Sequence, residues 1–161
     1  MSNDVAHKSW WQIFEIVSGI PFLAALIMQR VIPISIPHGF VTLAFIFTGA
    51  FLILLGAFLV VTARREFARH NQPTDPGYPT SQLIVTGVFS ISRNPLYLGG
   101  ILMLAGISLA FKLPWILILL ILSIIACQTI LIAVEERYLA TKFGEQYREY
   151  AAKVHRWFGR K

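Results

Sequence analysis

Cysteine is almost absent from this chain: Cys127 stands alone among 161 residues. A lone thiol excludes an intramolecular disulfide and any thiol-rich metal site, which leaves Cys127 a packing role. Acidic residues are also few, 8 against 14 basic ones, and charged residues of both signs make up only 14% of the sequence. The four histidines, His7, His38, His70 and His155, show no pairing at i and i+4 and no neighbouring cysteine or carboxylate cluster, so no metal is expected.

What fills the sequence instead is apolar. Hydrophobic residues account for 56% of it, in runs too long for the core helices of a soluble domain of this size. A spanning helix needs roughly 20 mostly apolar residues to cross a hydrocarbon core of about 30 Å. Windows of that kind run over 13–32, 40–62 and 115–134, with a shorter one over 96–111. Lys112-Leu113-Pro114 leaves room only for a tight turn, which makes the third and fourth helices an antiparallel hairpin. The expected architecture is a single all-α integral membrane domain over 1–161, with about four transmembrane helices and a C-terminal cytoplasmic amphipathic helix.

Basic residues concentrate in the cytoplasmic segments that flank spanning helices. In the four-span topology Lys8, Arg64, Arg65, Arg69, Arg93, Arg137, Lys142, Arg148, Lys153, Arg156, Arg160 and Lys161 all fall on one side, and only Arg30 and Lys112 on the other. Both termini are therefore expected in the cytoplasm, with the protein in an inner (plasma) membrane and His38 on the far face. The net charge of +6 reads as this bias plus attraction to anionic headgroups. Nucleic acid is not an expected partner, because no nucleic-acid-binding motif accompanies the basic residues. The first run is kept as a helix rather than a cleaved signal, since no small-residue cleavage pattern follows it and it ends at Gln29-Arg30.

Two polar segments hold the chemistry. Residues 63–95 form a long connection broken by Pro73, Asp75-Pro76-Gly77 and Pro79. Residues 135–158 carry Leu139, Phe143, Tyr147, Tyr150, Val154 and Trp157 at helical intervals, opposite Glu145, Arg148, Glu149 and Lys153. That apolar face must lie either on the bilayer interface or on the hairpin and the 63–95 loop, closing a pocket.

The densest cluster is Gly87-Val-Phe-Ser-Ile-Ser-Arg-Asn-Pro-Leu-Tyr-Leu-Gly99, which runs into the third helix. Half of it has an ordinary structural explanation: Pro95 suits a first helical turn, Asn94 an N-cap, Arg93 a charge anchor, Tyr97 an interfacial ring, and Gly99, Gly100 and Gly106 close helix packing. Glu135-Glu136 asks for more. Adjacent carboxylates at the end of a span need water, a cation or hydrogen-bond donors, and neighbouring positions on a helix point about 100° apart, so one can face a pocket while the other faces elsewhere.

Taken together, the segment from Leu83 to Gly99, the Glu135-Glu136 pair and the tail Phe143-Gly-Glu-Gln-Tyr-Arg-Glu-Tyr150 followed by Val154 and Arg156 resemble the isoprenylcysteine carboxyl methyltransferase family, whose relatives include phospholipid methyltransferases. The resemblance covers roughly residues 40–158. It implies an enzyme: a membrane fold without a Rossmann domain that transfers a methyl group from S-adenosylmethionine to a lipophilic acceptor and releases S-adenosylhomocysteine. Carried over position by position, it implies cofactor contacts at Gln82, Leu83, Ile84, Phe89, Asn94, Pro95, Leu96, Tyr97 and Glu135. Carboxylates can hold ribose hydroxyls or offset a sulfonium charge, and N–H groups opening the third helix can receive a carboxylate, as Arg93 can. For an amine acceptor, Glu136 or Tyr97 would be the proton partner.

Two positions depart from the eukaryotic carboxyl methyltransferases. Asn94 stands where they carry His, although other branches use Asn, and Leu131 stands where they place an arginine for the acceptor carboxylate. The acceptor, a carboxylate, thiol or amine on a small lipophilic or lipidated molecule, stays open. Two non-enzymatic readings compete: a small four-span transporter using Glu15 as an intramembrane acid, and a catalytically silent adaptor of the same fold.

Overall fold

The computed structural model describes residues 12–36, 39–73 and 78–161; Lys8, His7, His38 and the Asp75-Pro76-Gly77 turn lie outside the described residues. The described chain is helical, with no strand: α1 (Phe14–Val31), α2 (Phe40–Arg69), a 3₁₀ turn (Gly87–Ser90), α3 (Pro95–Ala110), α4 (Pro114–Ala126), a π-helical segment (Cys127–Ile132), α5 (Ala133–Phe143) and α6 (Glu145–Lys153). α1, α2 and the continuous α4–π–α5 rod are long and apolar enough to cross a membrane. With 16 residues, α3 reaches about 24 Å at 1.5 Å per residue, short of a hydrocarbon core of about 30 Å.

The helix limits match the expected windows to within a residue for α1 and α3 and differ elsewhere. α2 continues through Arg69, so the first seven residues assigned to the 63–95 loop are helical. Charge ends a hydrocarbon crossing without ending a helix: Arg64, Arg65, Glu66 and Arg69 are tolerant of helix, and Arg69 pairs with Glu66 at i,i+3 and 2.8 Å. The helix expected over 135–158 is not one element. Its first part continues the fourth span, Gly144 breaks it at φ +53°, and α6 stops at Lys153.

Close backbone approach holds α2 against α3. A Cβ placed on Gly56 would lie 2.5 Å from the Gly99 carbonyl oxygen, and one on Gly49 would lie 2.6 Å from that of Gly106. Glycines at these positions let the helices touch, which is how apolar helices gain dispersion energy when lipid offers no hydrophobic drive. α1 packs on α4 and on the π segment, where Val17, Cys127 and Leu131 form a buried cluster and the Cys127 sulfur lies 3.6 Å from Ser18 Oγ. The Trp115 indole N–H donates to the Ile32 carbonyl at 2.7 Å. Those contacts align the helix ends and bring the starts of α1, α3 and α5 beside the end of α2.

Candidate functional site

At that end the polar segment 78–94 is tied down by its own side chains. Gln72 and Ser81 exchange hydrogen bonds, and the Gln82 amide donates to the His70 carbonyl at 2.8 Å. The buried Glu66 carboxylate accepts from Thr86 Oγ1 at 2.9 Å and lies against Gly87, where φ is +57° and any Cβ would meet Glu66 at 2.6 Å. Gly87 is thus required both by conformation and by space. Ile84 and Phe89 then bury against Ala63, and Phe89 meets the Phe67 ring edge-on at 5.5 Å.

α6 covers this segment from outside. Tyr147, Tyr150 and Val154 bury against Leu83, Leu139 and Phe143, while Glu145, Arg148, Glu149 and Lys153 stay exposed. Of the two surfaces open to the amphipathic stretch, it takes the protein one. The Tyr150 hydroxyl donates to the Phe89 carbonyl at 2.6 Å, and burial raises its pKa above the usual tyrosine value. Tyr147 is pushed up to about 12, chiefly by burial and then by the nearby Glu136 charge. It stays protonated near neutrality and accepts from Arg93 Nη1 at 3.1 Å.

The two adjacent carboxylates have different partners. Glu135 accepts from the Tyr97 hydroxyl at 3.1 Å. Glu136 accepts from Arg156 through Nε at 3.2 Å and Nη2 at 2.6 Å, and pairs with Arg93 at 3.2 Å. The bond to Glu136 raises the pKa of Arg156 further. Both Glu136 oxygens are held by guanidinium donors, so the carboxylate serves as an anchor between the motif and the tail. The tail is also laced to the motif by backbone bonds, Arg93 N–H to His155 O at 3.2 Å and Gly159 N–H to Ile91 O at 2.7 Å. Asn94 takes the N-cap position of α3, yet its side chain does not cap the helix. Its amide donates to the Arg156 carbonyl at 3.1 Å instead.

Between these layers lies a narrow crevice of about 50 Å³, lined by Gln82, Leu83, Ile84, Phe89, Arg93, Asn94, Glu135 and Glu136 together with Phe67, Thr80, Leu139, Tyr147 and Tyr150. Residues more than fifty positions apart in sequence meet there. Leu96 and Tyr97 turn instead into a second cavity of about 570 Å³, between α1, α2 and α3, and Pro95 is buried. Glu135, Phe67 and Thr80 line both spaces. One buried donor is left over: Arg93 Nε has no hydrogen-bond partner. An unpaired guanidinium N–H beside an acidic acceptor suits a ligand that carries a carboxylate together with hydroxyls or a positive charge.

Sequence reasoning did not assign Phe67, Thr80 or the Arg156–Glu136 pair. Phe67 stands four residues after Ala63, on the same face, and becomes visible once α2 is extended to Arg69. Nothing in the local pattern joins Arg156 to a carboxylate twenty positions earlier. Glu15, on which a transporter would rest, sits in the first turn of α1 beside the larger cavity and not midway along the span. Among the described residues no group of His, Cys, Asp or Glu could hold a metal ion.

A helical bundle with spans of this length and a polar crevice at one end belongs to the class of integral membrane proteins that combine a water-facing site with lipid-facing helices. Residues 44–146 match the family model described as phospholipid methyltransferase, and the chain belongs to that family. Membership implies a membrane methyltransferase, and proteins of this family generally take the methyl group from S-adenosylmethionine. No curated protein and no solved structure matches the chain.

Proposed function

We infer that the protein is an S-adenosylmethionine-dependent methyltransferase, isoprenylcysteine carboxyl methyltransferase-like, which methylates a lipophilic acceptor at the cytoplasmic face of its membrane. The observation that carries this reading is the shared wall. A polar crevice, which at about 50 Å³ is too narrow to enclose a whole cofactor of nucleoside size, meets at Glu135 an apolar cavity of about 570 Å³, which is of ligand-holding size.

In this reading Gln82, Leu83, Ile84, Phe89, Asn94 and Glu135 hold one end of the cofactor at the crevice, the rest of it passing the Glu135 wall into the larger cavity, and when bound it would supply an electrophilic methyl group on a sulfonium. Glu135, kept in place by Tyr97, offers an oxygen to ribose hydroxyls or to the positive charge. Arg93 Nε and the N–H groups of Leu96 and Tyr97, which open α3 behind Pro95, are the donors for a carboxylate. Pro95 fixes the start of that turn. The acceptor lies in the larger cavity, so its reactive atom reaches the methyl group at the Glu135 wall. No covalent enzyme intermediate is needed. Alignment and exclusion of water by Phe67, Phe89 and the α6 cover supply the rate.

The test is transfer of a labelled methyl group from S-adenosylmethionine into organic-extractable material in membranes containing the protein. Incorporation above empty membranes, reduced at least about tenfold in Glu135→Ala, supports the reading. Equal labelling with the wild type, the variant and empty membranes overturns it, and would favour an adaptor or transporter.

A further inference from the structure

α6 turns its apolar face onto the protein, but the segment after it does not. Beyond Lys153 the chain doubles back in a hairpin closed by an antiparallel bridge between Val154 and Arg160. His155 N–H donates to Gly159 O at 2.9 Å, and Lys161 N–H to Lys153 O at 3.0 Å. The hairpin lies outside residues 44–146, the part of the chain that matches the family. Three bonds fix its height: Arg93 N–H to His155 O, Gly159 N–H to Ile91 O, and the Asn94 amide to Arg156 O. Asn94 immediately precedes Pro95, the first residue of α3. Glu136, which holds the Arg156 guanidinium, follows closely on Val134, where the last apolar run ends. The hairpin is therefore level with the ends of two apolar helices, which is the plane of the lipid headgroups.

Its side chains suit that plane. Phe158 is 68% exposed at the turn of the hairpin, beside Trp157. Around these rings stand Lys153, Arg160 and Lys161, all exposed, and from Tyr150 to Lys161 there is no acidic residue. Among the described residues the side chains of Lys153 and Arg160 make no hydrogen bond or ion pair. Arg156, within the same segment, is committed to Glu136. In water an exposed phenylalanine ring ringed by unpaired cations gains nothing. At a lipid surface the aromatic rings enter the interface while the cations meet phosphate, so the charge of the patch selects an anionic leaflet.

We propose that the hairpin 154–161 is a membrane-docking surface: Trp157 and Phe158 insert at the interface of the leaflet nearest the crevice, and Lys153 and Arg160 hold the phosphates of anionic lipid headgroups there. The same hairpin grips Arg93 and Asn94, so docking clamps two residues that line the crevice. The proposal goes beyond the methyltransferase reading and does not depend on it.

Hydrogen exchange of the full chain, read by mass spectrometry, tests this without requiring turnover. The protein would be placed in phosphatidylcholine nanodiscs with and without about 30% phosphatidylglycerol. Amides of 154–161 are expected to exchange at least about fivefold more slowly in the anionic nanodiscs, the scale of two basic side chains at such a surface. High salt should remove most of that difference by screening. The double variant Lys153→Gln, Arg160→Gln should bring the two lipid compositions to within about twofold of each other. Unchanged exchange over α2 and α3 shows that it folds. In the anionic nanodiscs, brominated lipid should quench more fluorescence in the wild type than in Trp157→Phe. Equal exchange of the wild-type hairpin in both compositions, or a difference undiminished in the double variant, overturns the proposal. So does equal slowing by free glycerol phosphate in the phosphatidylcholine nanodiscs, which would make the patch a site for a soluble phosphate.

Discussion

At the scale of single residues, adjacent carboxylates take on unlike work because successive helical positions point in different directions. Glu135 keeps one partner, Tyr97, and faces the crevice, whereas Glu136 is held by Arg156 and Arg93. Glu136 is 16% exposed, so removing its charge strands two guanidiniums where water screens them only in part. Glu136→Gln is expected to cost about 1–3 kcal/mol after allowance for that screening. It should also free the tail beyond Lys153, read as a lowered thermal midpoint and faster proteolytic trimming there; an unchanged midpoint with an intact tail would contradict the anchoring role. The sequence made the carboxylate pair conspicuous and even suggested that the two would diverge. It did not reveal the partner of Glu136, because an ion pair across twenty positions leaves no periodic trace.

At the scale of elements, two local departures from regular helix set the geometry. α2 and α3 are in contact through facing glycines, so Gly56→Val drives a side chain into the Gly99 backbone. Overpacking of this kind costs about 1–3 kcal/mol or more. The variant is expected to lose monodisperse behaviour in detergent at temperatures the wild type tolerates. Gly19→Ala, with nothing within 4 Å of the new Cβ, is expected to be neutral or stabilising by up to about 1 kcal/mol; matching behaviour of the two variants would refute the packing argument. The second departure is the π segment Cys127–Ile132. Its i→i+5 ladder adds a residue to the turn, so Cys127 and Leu131 face α1 and Tyr97 while Glu135 still reaches the Tyr97 hydroxyl. Deleting exposed Thr129 removes the extra residue and lets a plain α-helix carry both ends of the rod in their present register. The expected outcome is a folded protein in which Glu135 still meets Tyr97 and S-adenosylmethionine affinity is kept; loss of that affinity would contradict the view that the π segment only absorbs one residue. Composition exposes the spans, but a run of Cys-Gln-Thr-Ile-Leu-Ile carries no mark that separates π from α helix.

At the scale of the whole molecule, the bundle places most of its described basic residues, the polar segment 78–94 and its C-terminal helix at one end, and the site forms where these layers overlap. That arrangement was legible in advance from the apolar windows, the tight 112–114 turn and the one-sided distribution of lysine and arginine. The cover was half-legible: the spacing of Leu139, Tyr147, Tyr150 and Val154 announced a buried face, but what that face would meet depended on a loop with no periodic pattern. The break at Gly144 was missed because the apolar spacing continues across it. The larger cavity was not foreseen, since its lining is drawn from α1, α2, α3, α5 and the connection after α2, and no local pattern joins residues so far apart in sequence. The central claim is that the crevice beside Glu135 is a cofactor site. Calorimetric titration of S-adenosylmethionine into the detergent-purified protein, beside Glu135→Ala and Asn94→Ala, tests it most directly. Micromolar binding by the wild type, weakened in both variants by about tenfold or more, is the expected result; no binding to the folded wild type, or equal binding by all three, would contradict the claim.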